Sequence, residues 1–454
     1  MAAPRASRAC FFIFDPSLVP PDGPKPTEEE ASDAKIIYYS PSCAPAEEKR
    51  SQVGLLEGLI AFAAMFGGDK GPLRVLRTQQ LAFSVLEAEP NTWMVLAMRH
   101  QRVEPKAPAR GSEASTGAQE MQWDEDSLGD NTLQAVLQNC YNVFRLLHGE
   151  IQSFVKEHRH KLFDLLEDFI PAFLETIDHS DLGIFHELDG FHYGPVERNT
   201  CVSIHCFLSR LQEQFPAIRH AALLYNAHLI YTSLAMNDMR VLYTYLVSFN
   251  GAVSNQKLTK QPFGRIPTAA SQPGGGSSSF GRAFLLKEDE DFLLGASRSS
   301  SGAGGSGPAS VFVPAVYLVE GGPGQLVALT FRGILLVLVF EMGAQLDTRV
   351  LESVRSACTT PTGDGLSLAE LHPLIAPQYS QVMEREDEYR SLYYNGTNHA
   401  LRLSHQPATS RTLLGPGRPG SSGPKLEERA LLCPLHAALQ DQRLRCREVS
   451  WKSA

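Results

Sequence analysis

The most apolar stretch of the chain, Ile334-Leu-Leu-Val-Leu-Val-Phe340, is only seven residues long. A helix needs roughly 20 apolar residues to cross the hydrocarbon of a bilayer, so this run cannot span one. Its mixture of Ile and Val with Leu suits a buried strand instead. A chain whose longest apolar run is a strand must build sheets. Its 454 residues, 43% hydrophobic, are enough for two cores or for three small ones. Any membrane association then has to come through partners or a surface patch.

Charge narrows the function. There are 41 basic and 50 acidic side chains, a net −9, which argues against a nucleic-acid binder, whose footprint is an excess of Lys and Arg. A local basic patch stays compatible with this balance. The eight cysteines, at 10, 43, 140, 201, 206, 358, 433 and 446, form no disulfide framework. Met1 to Cys10 is polar and small, and the apolar run after it is too short for a secretory signal. The expected compartment is a reducing cytosol with free thiols.

The first unit is expected over 1–150. Phe11-Phe-Ile-Phe14, stopped by Asp15-Pro16, and Lys35-Ile-Ile-Tyr-Tyr39, closed by Ser40-Pro41, read as strands, with a Pro- and Glu-rich loop between them. A helix follows from Ser51 to Phe66, with Gly67-Gly68 as its stop. Gln80–Leu86 and Thr92–Met98 pair around the turn Glu89-Pro-Asn91, and 101–126 is a polar loop. A second helix, Ser127 to His148, lines Leu133, Val136, Leu137, Cys140, Val143, Phe144 and Leu147 along one face. Strands and helices in this order make a compact α+β domain with an antiparallel sheet.

A middle unit is expected over 151–250. It has helical stretches at Phe154–Ile177, broken at Pro171, and at Thr200–Gln214. A hairpin comes next, Arg219–Leu224 and His228–Leu234, then a helix starting near Asn237. From 251 to 310, Gly274-Gly-Gly276, serine clusters and Gly302-Ala-Gly-Gly-Ser-Gly307 mark a flexible linker, interrupted by an apolar island from Phe284 to Leu294. A last unit over 311–405 has strands at Val311–Val319, Gly333–Phe340 and Tyr389–Tyr394 and a helix at Asp347–Cys358. The remainder, 406–454, turns rich in Gly, Pro and Arg and is expected to be mostly disordered.

Catalytic constellations do not emerge. The chain has no G-x-x-x-x-G-K-[ST], no G-x-S-x-G, no H-E-x-x-H and no C-x-x-C. Six histidines lie between His158 and His205, but at irregular steps, so they read as surface residues rather than metal ligands. Glu288, Asp289, Glu290 and Asp291 read as a solvated charge run. Asn395-Gly-Thr397 reads as a turn closing a strand. The serines near 297–301 are candidates for phosphorylation. No catalytic residue, cofactor or metal is implied.

One element stands out. The helix 51–66 is apolar over most of its circumference, with Gly54, Gly58, Ala61, Ala63 and Ala64 at small positions. A helix covering one sheet face needs only one apolar stripe. The surplus means either deeper burial or a partner interface.

Four segments of this first unit, Phe11-Phe-Ile-Phe-Asp-Pro16, Lys35-Ile-Ile-Tyr-Tyr-Ser-Pro41, Val53 to Phe62 and Glu89-Pro-Asn-Thr-Trp-Met-Val95, resemble in order and spacing the first longin domain of the vacuolar fusion protein Ccz family. Gln138-Asn-Cys-Tyr141 with Phe144 to Gly149 is similar to that domain's second helix. Ala222-Leu-Leu-Tyr-Asn226 and Met236 to Tyr243 are similar to the second longin domain, and Tyr389 to Asn395 to the third. No one of these motifs is diagnostic; their collinear order carries the resemblance, which covers most of 11–250.

The resemblance implies tandem longin domains and a partner of the same architecture, the Mon subunit. Such pairs act as a guanine-nucleotide exchange factor for the late-endosomal and lysosomal Rab GTPase, by binding and without chemical catalysis. It implies a cytoplasmic protein held peripherally on late endosomes or lysosomes through the complex. The expected partner face is the helix 51–66, with Leu55, Leu59, Ile60 and Phe62 as apolar contacts and Glu57 as a polar one. A Gly/Pro/Arg tail stands where the family completes its third longin domain, so that domain is expected to be partial. Two neighbouring readings stay open, the related longin subunit of Hermansky–Pudlak syndrome and a longin adaptor without exchange activity.

Overall fold

The computed structural model describes residues 9–20, 27–66, 72–99, 101–103, 122–124, 130–176, 190–194, 196–226, 228–246, 285–286, 292–294, 313, 315–360, 367–384, 390–395, 400–403 and 446–451. The chain forms two compact units, Met1–Tyr141 with Glu150–Glu187, and Asn142–Gly149 with Leu188–Ala454.

In the first unit a five-stranded antiparallel sheet is built from β1 (Ala9–Phe14), β2 (Ile36–Ser40), β3 (Val75–Arg77), β4 (Leu81–Glu89) and β5 (Thr92–Arg99), in the order β2-β1-β5-β4-β3. Strand periodicity sends alternate side chains to opposite faces. Phe12, Phe14, Tyr39, Phe83, Val85, Val95 and Ala97 share one face with the helix α2 (Ala46–Phe66). On the other face, Tyr38 meets Phe163 of α5 (Arg159–Thr176), their rings 5.9 Å apart. There too, Gln134 of α3 (Asp130–His148) donates to the Ser84 hydroxyl at 2.8 Å and to the Val85 carbonyl at 3.1 Å. The sheet thus has α2 on one side and α3 and α5 on the other.

Short of the core, a buried polar knot fixes the turn between β4 and β5. The Glu89 carboxylate accepts from the Tyr141 hydroxyl at 3.0 Å and from the backbone N–H groups of Ile151 and Gln152 at 2.7 and 2.8 Å. Those two amides open α4 (Ile151–Glu157), where a helix has unsatisfied donors. Gln152 in turn donates to Asp15 at 3.0 Å and to Thr92 at 2.8 Å.

Three local expectations are corrected here. The loop expected between the first two strands contains α1 (Glu28–Lys35), started by a capping box in which Thr27 accepts from the Glu30 amide and Glu30 accepts from the Thr27 amide. The expected polar loop 101–126 contains a strand pair, β6 (Gln101–Val103) with β7 (Gln122–Asp124). The break expected at Pro171 falls instead at His158, whose φ −146 and ψ 55 separate α4 from α5. Pro171 lies inside α5, beside the buried Phe169, Ile170 and Phe173.

In the second unit β9 (Ile218–Tyr225) and β10 (His228–Thr232) form the expected hairpin. The larger correction concerns what they join. β15 (Ile334–Glu341) pairs with β9 along its length, from Ile334 against Tyr225 to Phe340 against Ile218. The stretches 151–250 and 311–405 were expected as separate domains, yet their strands share one sheet. β14 (Gly322–Phe331), unforeseen in the sequence, lies on the other side of β15 and pairs also with β13 (Ala315–Leu318). The β14–β15 turn is Arg332-Gly333, with φ 47 and 85, and a Cβ on Gly333 would stand 2.8 Å from the Asn226 amide oxygen.

One core cluster unites the two stretches. It runs from Ile204, Phe207, Leu208 and Leu211 of α6 (Arg198–Gln214) through Leu223 and Leu336 of the sheet. It ends on Leu351 and Val354 of α8 (Thr348–Thr359) and Leu371 and Ile375 of α9 (Leu368–Glu384). α9 was also unforeseen, because Pro373 and Pro377 lie within it. On α7 (Met236–Thr244), the buried Asp238 accepts from three successive amides after β13, Val319, Glu320 and Gly321, at 2.6, 2.9 and 2.9 Å. That pins residues from both sides of the expected linker to one another.

Parts of that linker and of the tail are also paired. β11 (Leu285–Leu286) pairs with β12 (Phe292–Leu294), which pairs with β14. A four-stranded sheet joins β8 (Phe191–His192), β17 (Ala400–Leu403), β16 (Arg390–Asn395) and the tail strand β18 (Cys446–Trp451). The acidic run 288–291, the serines 297–301, Gly67-Gly68, Gly396-Thr397 and the rest of the linker and tail lie outside the described residues.

Candidate partner-binding face

Helix α2 is held to its own sheet by a narrow stripe. Val53 and Leu56 are buried, and Leu59 and Ile60 pack against the same cluster of Phe12, Phe14, Tyr39, Phe83, Val85, Val95 and Ala97. These positions recur at three- and four-residue steps, as one side of a helix requires. Near its start α2 is tied to α1 by Arg50, which pairs with Glu29 and with Asp33, both at 2.9 Å. Further along, Lys35 pairs with Glu57 at 2.7 Å.

The outward side is where the surplus apolar residues lie. Leu55 is 57% exposed, Phe62 60%, Met65 79% and Phe66 70%. The rings of Phe62 and Phe66 sit 4.6 Å apart, side by side on the surface. Gly54 and Gly58 lie on the same side, and a Cβ at either would meet nothing within 4 Å. Covering four such side chains would be worth roughly 4–8 kcal/mol of transfer free energy. Large apolar side chains left exposed together on one helix mark an interaction site.

The five residues expected at the interface divide. Leu55 and Phe62 face outward. Leu59 and Ile60 are half-buried against the sheet, and Glu57 is engaged by Lys35. Met65 and Phe66 join the outward side although neither was singled out as a contact. Their apolar character, with Met65 seven residues after Gly58 and Phe66 one turn after Phe62, was the available signal.

The arrangement offers apolar contact and little chemistry. Among the described residues no group of three or more His, Cys, Asp or Glu side chains is placed to hold a metal ion. The histidines differ from expectation in one respect. His158, His160 and His205 are exposed, but His192 is drawn inward, and burial together with nearby His228 pushes its pKa down to about 4. His228 is itself bracketed by the Asn226 carbonyl at 2.9 Å and the Tyr379 hydroxyl at 3.1 Å. His179 and His186 lie outside the described residues. Among the described residues no helix is long and apolar enough to cross a membrane.

A five-stranded antiparallel sheet with one helix on one face and helices on the other is the architecture of a longin domain, and residues 9–149 match the family described as the first longin domain of INTU, CCZ1 and HPS4. The chain is also similar to proteins named vacuolar fusion protein CCZ1 homolog. It is 31% identical to the one from Danio rerio and 30% to the one from Xenopus tropicalis, in each case over 239 residues. That stretch is 52% of this chain and 47% of each relative. The homolog from Dictyostelium discoideum is 25% identical over 244 residues, 52% of this chain and 51% of the relative. The chain therefore matches about half the length of these curated relatives.

Proposed function

We propose that this chain is one subunit of a heterodimeric guanine-nucleotide exchange factor for the late-endosomal and lysosomal Rab GTPase, serving vesicle-mediated transport and membrane fusion. The observation that carries the reading is the outward face of α2, on a longin domain similar to that of proteins named for vacuolar fusion. The partner is a second longin subunit of the Mon type. Leu55, Phe62, Met65 and Phe66 are its apolar contacts, while Glu57, Leu59 and Ile60 hold the helix in place beneath them. The protein is cytoplasmic and reaches late endosomes or lysosomes peripherally, as part of the complex.

Exchange needs no acid–base pair and no cofactor. A factor that binds the nucleotide-free GTPase more tightly than the loaded one lowers the GTPase's affinity for nucleotide by the same ratio, because the coupling is reciprocal. What such a factor requires is a rigid platform of complementary shape. An outward apolar helix face, fixed from behind by a packed sheet, fits the pairing half of that task.

The test is release of a fluorescent GDP from the late-endosomal Rab, with this chain, the Mon-type subunit, or both. The expected result is acceleration by the pair and by neither chain alone. A stable pair that leaves the release rate unchanged would sink the exchange reading and leave a longin adaptor in its place. Acceleration confined to Rabs of lysosome-related organelles would move the chain to the Hermansky–Pudlak type of subunit.

A further inference from the structure

Strand β8 is short, yet it joins two sheets. Phe191 and His192 pair with Ala400 and Leu401 of β17, which places β8 at one side of the four-stranded sheet. The chain just beyond it meets the outer edge of β10, where Tyr193 bridges to Leu229 and the Gly194 amide donates to the Leu229 carbonyl at 2.9 Å. Gly194 lets the backbones come this close. A Cβ there would stand 3.1 Å from the Ile230 side chain and 3.4 Å from the Cβ of His228. A backbone seam this short opens locally at little cost, so the side chains across it decide whether it holds.

Those side chains include two imidazoles. His192 of β8 and His228, which opens β10, have ring centroids 5.5 Å apart. The titratable groups beside them are aromatic hydroxyls. On α7, Tyr243 hydrogen-bonds the His192 backbone, and its ring lies 5.9 Å from Phe191. On α9, the Tyr379 hydroxyl lies 3.1 Å from the His228 Nδ1, and His372 packs edge-on against Tyr225. Next to His192 on its own strand side, the Tyr193 hydroxyl reaches the Met236 sulfur at 3.9 Å. The Asn226 carbonyl, 2.9 Å from the His228 Nδ1, requires a donor, which assigns the proton of the neutral ring to Nδ1. Burial and the facing His228 both oppose a charge on His192, and no carboxylate among the described residues offsets them.

We propose that His192, set against His228 across this seam, is an acid-sensitive latch that holds β8, and with it the four-stranded sheet, to the edge of β10. The direction follows from the proton balance. In the closed seam the His192 pKa is pushed down to about 4, whereas a released imidazole has its ordinary value of 6.5. The open form binds more protons, so closure is complete above pH 6.5 and is lost progressively as pH falls toward 4. The part set free is defined: β8, β17, β16 and the tail strand β18. β9, β15 and β14 pair with one another without β8 and stay closed. The latch belongs to the second unit and does not depend on the partner face of α2 in the first.

The test is amide hydrogen exchange of the full chain at pH 7.5, 6.5 and 5.5, each rate normalised to that of an unfolded chain at the same pH. Protection of Tyr193 and Gly194 is expected to fall about tenfold from pH 7.5 to 5.5, the effect of one proton, while β9 and β15 keep theirs. His192→Phe, which keeps a ring and removes the charge, should hold the seam's protection level across the range. His192→Gln does the same with a smaller neutral side chain, should the phenyl ring not fit. His205→Gln, at an exposed histidine of α6 bonded to Tyr231, is the control and should retain the full fall. Seam protection that ignores pH in the natural chain would overturn the latch. So would a fall that persists in both His192 variants, one abolished by His205→Gln, or one that β9 and β15 follow in step, which is acid unfolding of the whole unit.

Discussion

At Gly54 and Gly58 no packing among the described residues calls for glycine, since a Cβ at either position would meet nothing there within 4 Å. Each glycine in a helix interior costs about 0.5–1 kcal/mol relative to alanine. Two such positions, one turn apart and beside the exposed Leu55, make sense if another chain must come close to the helix axis there. Gly58→Ala is therefore expected to raise stability by about 0.5–1 kcal/mol, read from the denaturant midpoint, and to weaken association with the partner subunit. Higher stability with undiminished association would remove the glycines from the interface. At this scale the sequence was informative about composition and silent about direction. An apolar helix with small residues all round does not reveal which side its sheet claims, so Leu55 and Leu59 looked equivalent until Val53 and Leu56 were seen to be buried. Glu57 read as a polar contact because its partner, Lys35, lies 22 residues away at the end of a helix the sequence did not disclose.

The main strands of the first unit follow the sequence closely, because they are short and their turns carry Asp-Pro, Ser-Pro and Pro-Asn signals. The second unit was harder to read, for a physical reason. β9 and β15 are buried on both faces, so their apolar runs carry no alternation to tell one domain's edge from its interior. Their pairing also spans more than 100 residues, a long-range contact that no local pattern encodes. α9 was hidden by Pro373 and Pro377, and α1 by the prolines and acidic residues of a stretch that reads as loop. The shared sheet has a direct consequence. A chain ending at residue 250 lacks β14, β15, α8 and α9, leaving β9 with one open edge and half of its core uncovered. Such a truncation is expected to lose the second unit altogether: amides of β9 and β10 should exchange freely with solvent and α6 should be cut readily by protease. Protection of those strands in the truncated chain would restore the picture of an independent domain over 151–250.

At the scale of the whole molecule, the chain combines a longin domain with an apolar helix face turned outward. The resemblance seen in the sequence holds for the architecture of the first domain; the partner it implies stays part of the proposal. It could not extend to geometry, since the match covers about half of the curated relatives' length. The central claim is that the outward face of α2 binds a second longin subunit. The most direct measurement is the affinity of the full chain for the Mon-type subunit, by sedimentation velocity, with and without Leu55→Ser and Phe62→Ser. Both residues are more than half exposed, so the double variant should keep its thermal midpoint. The account predicts that its affinity falls at least about 30-fold, the scale of apolar residues at the centre of an interface. An unchanged affinity in a folded double variant would contradict it.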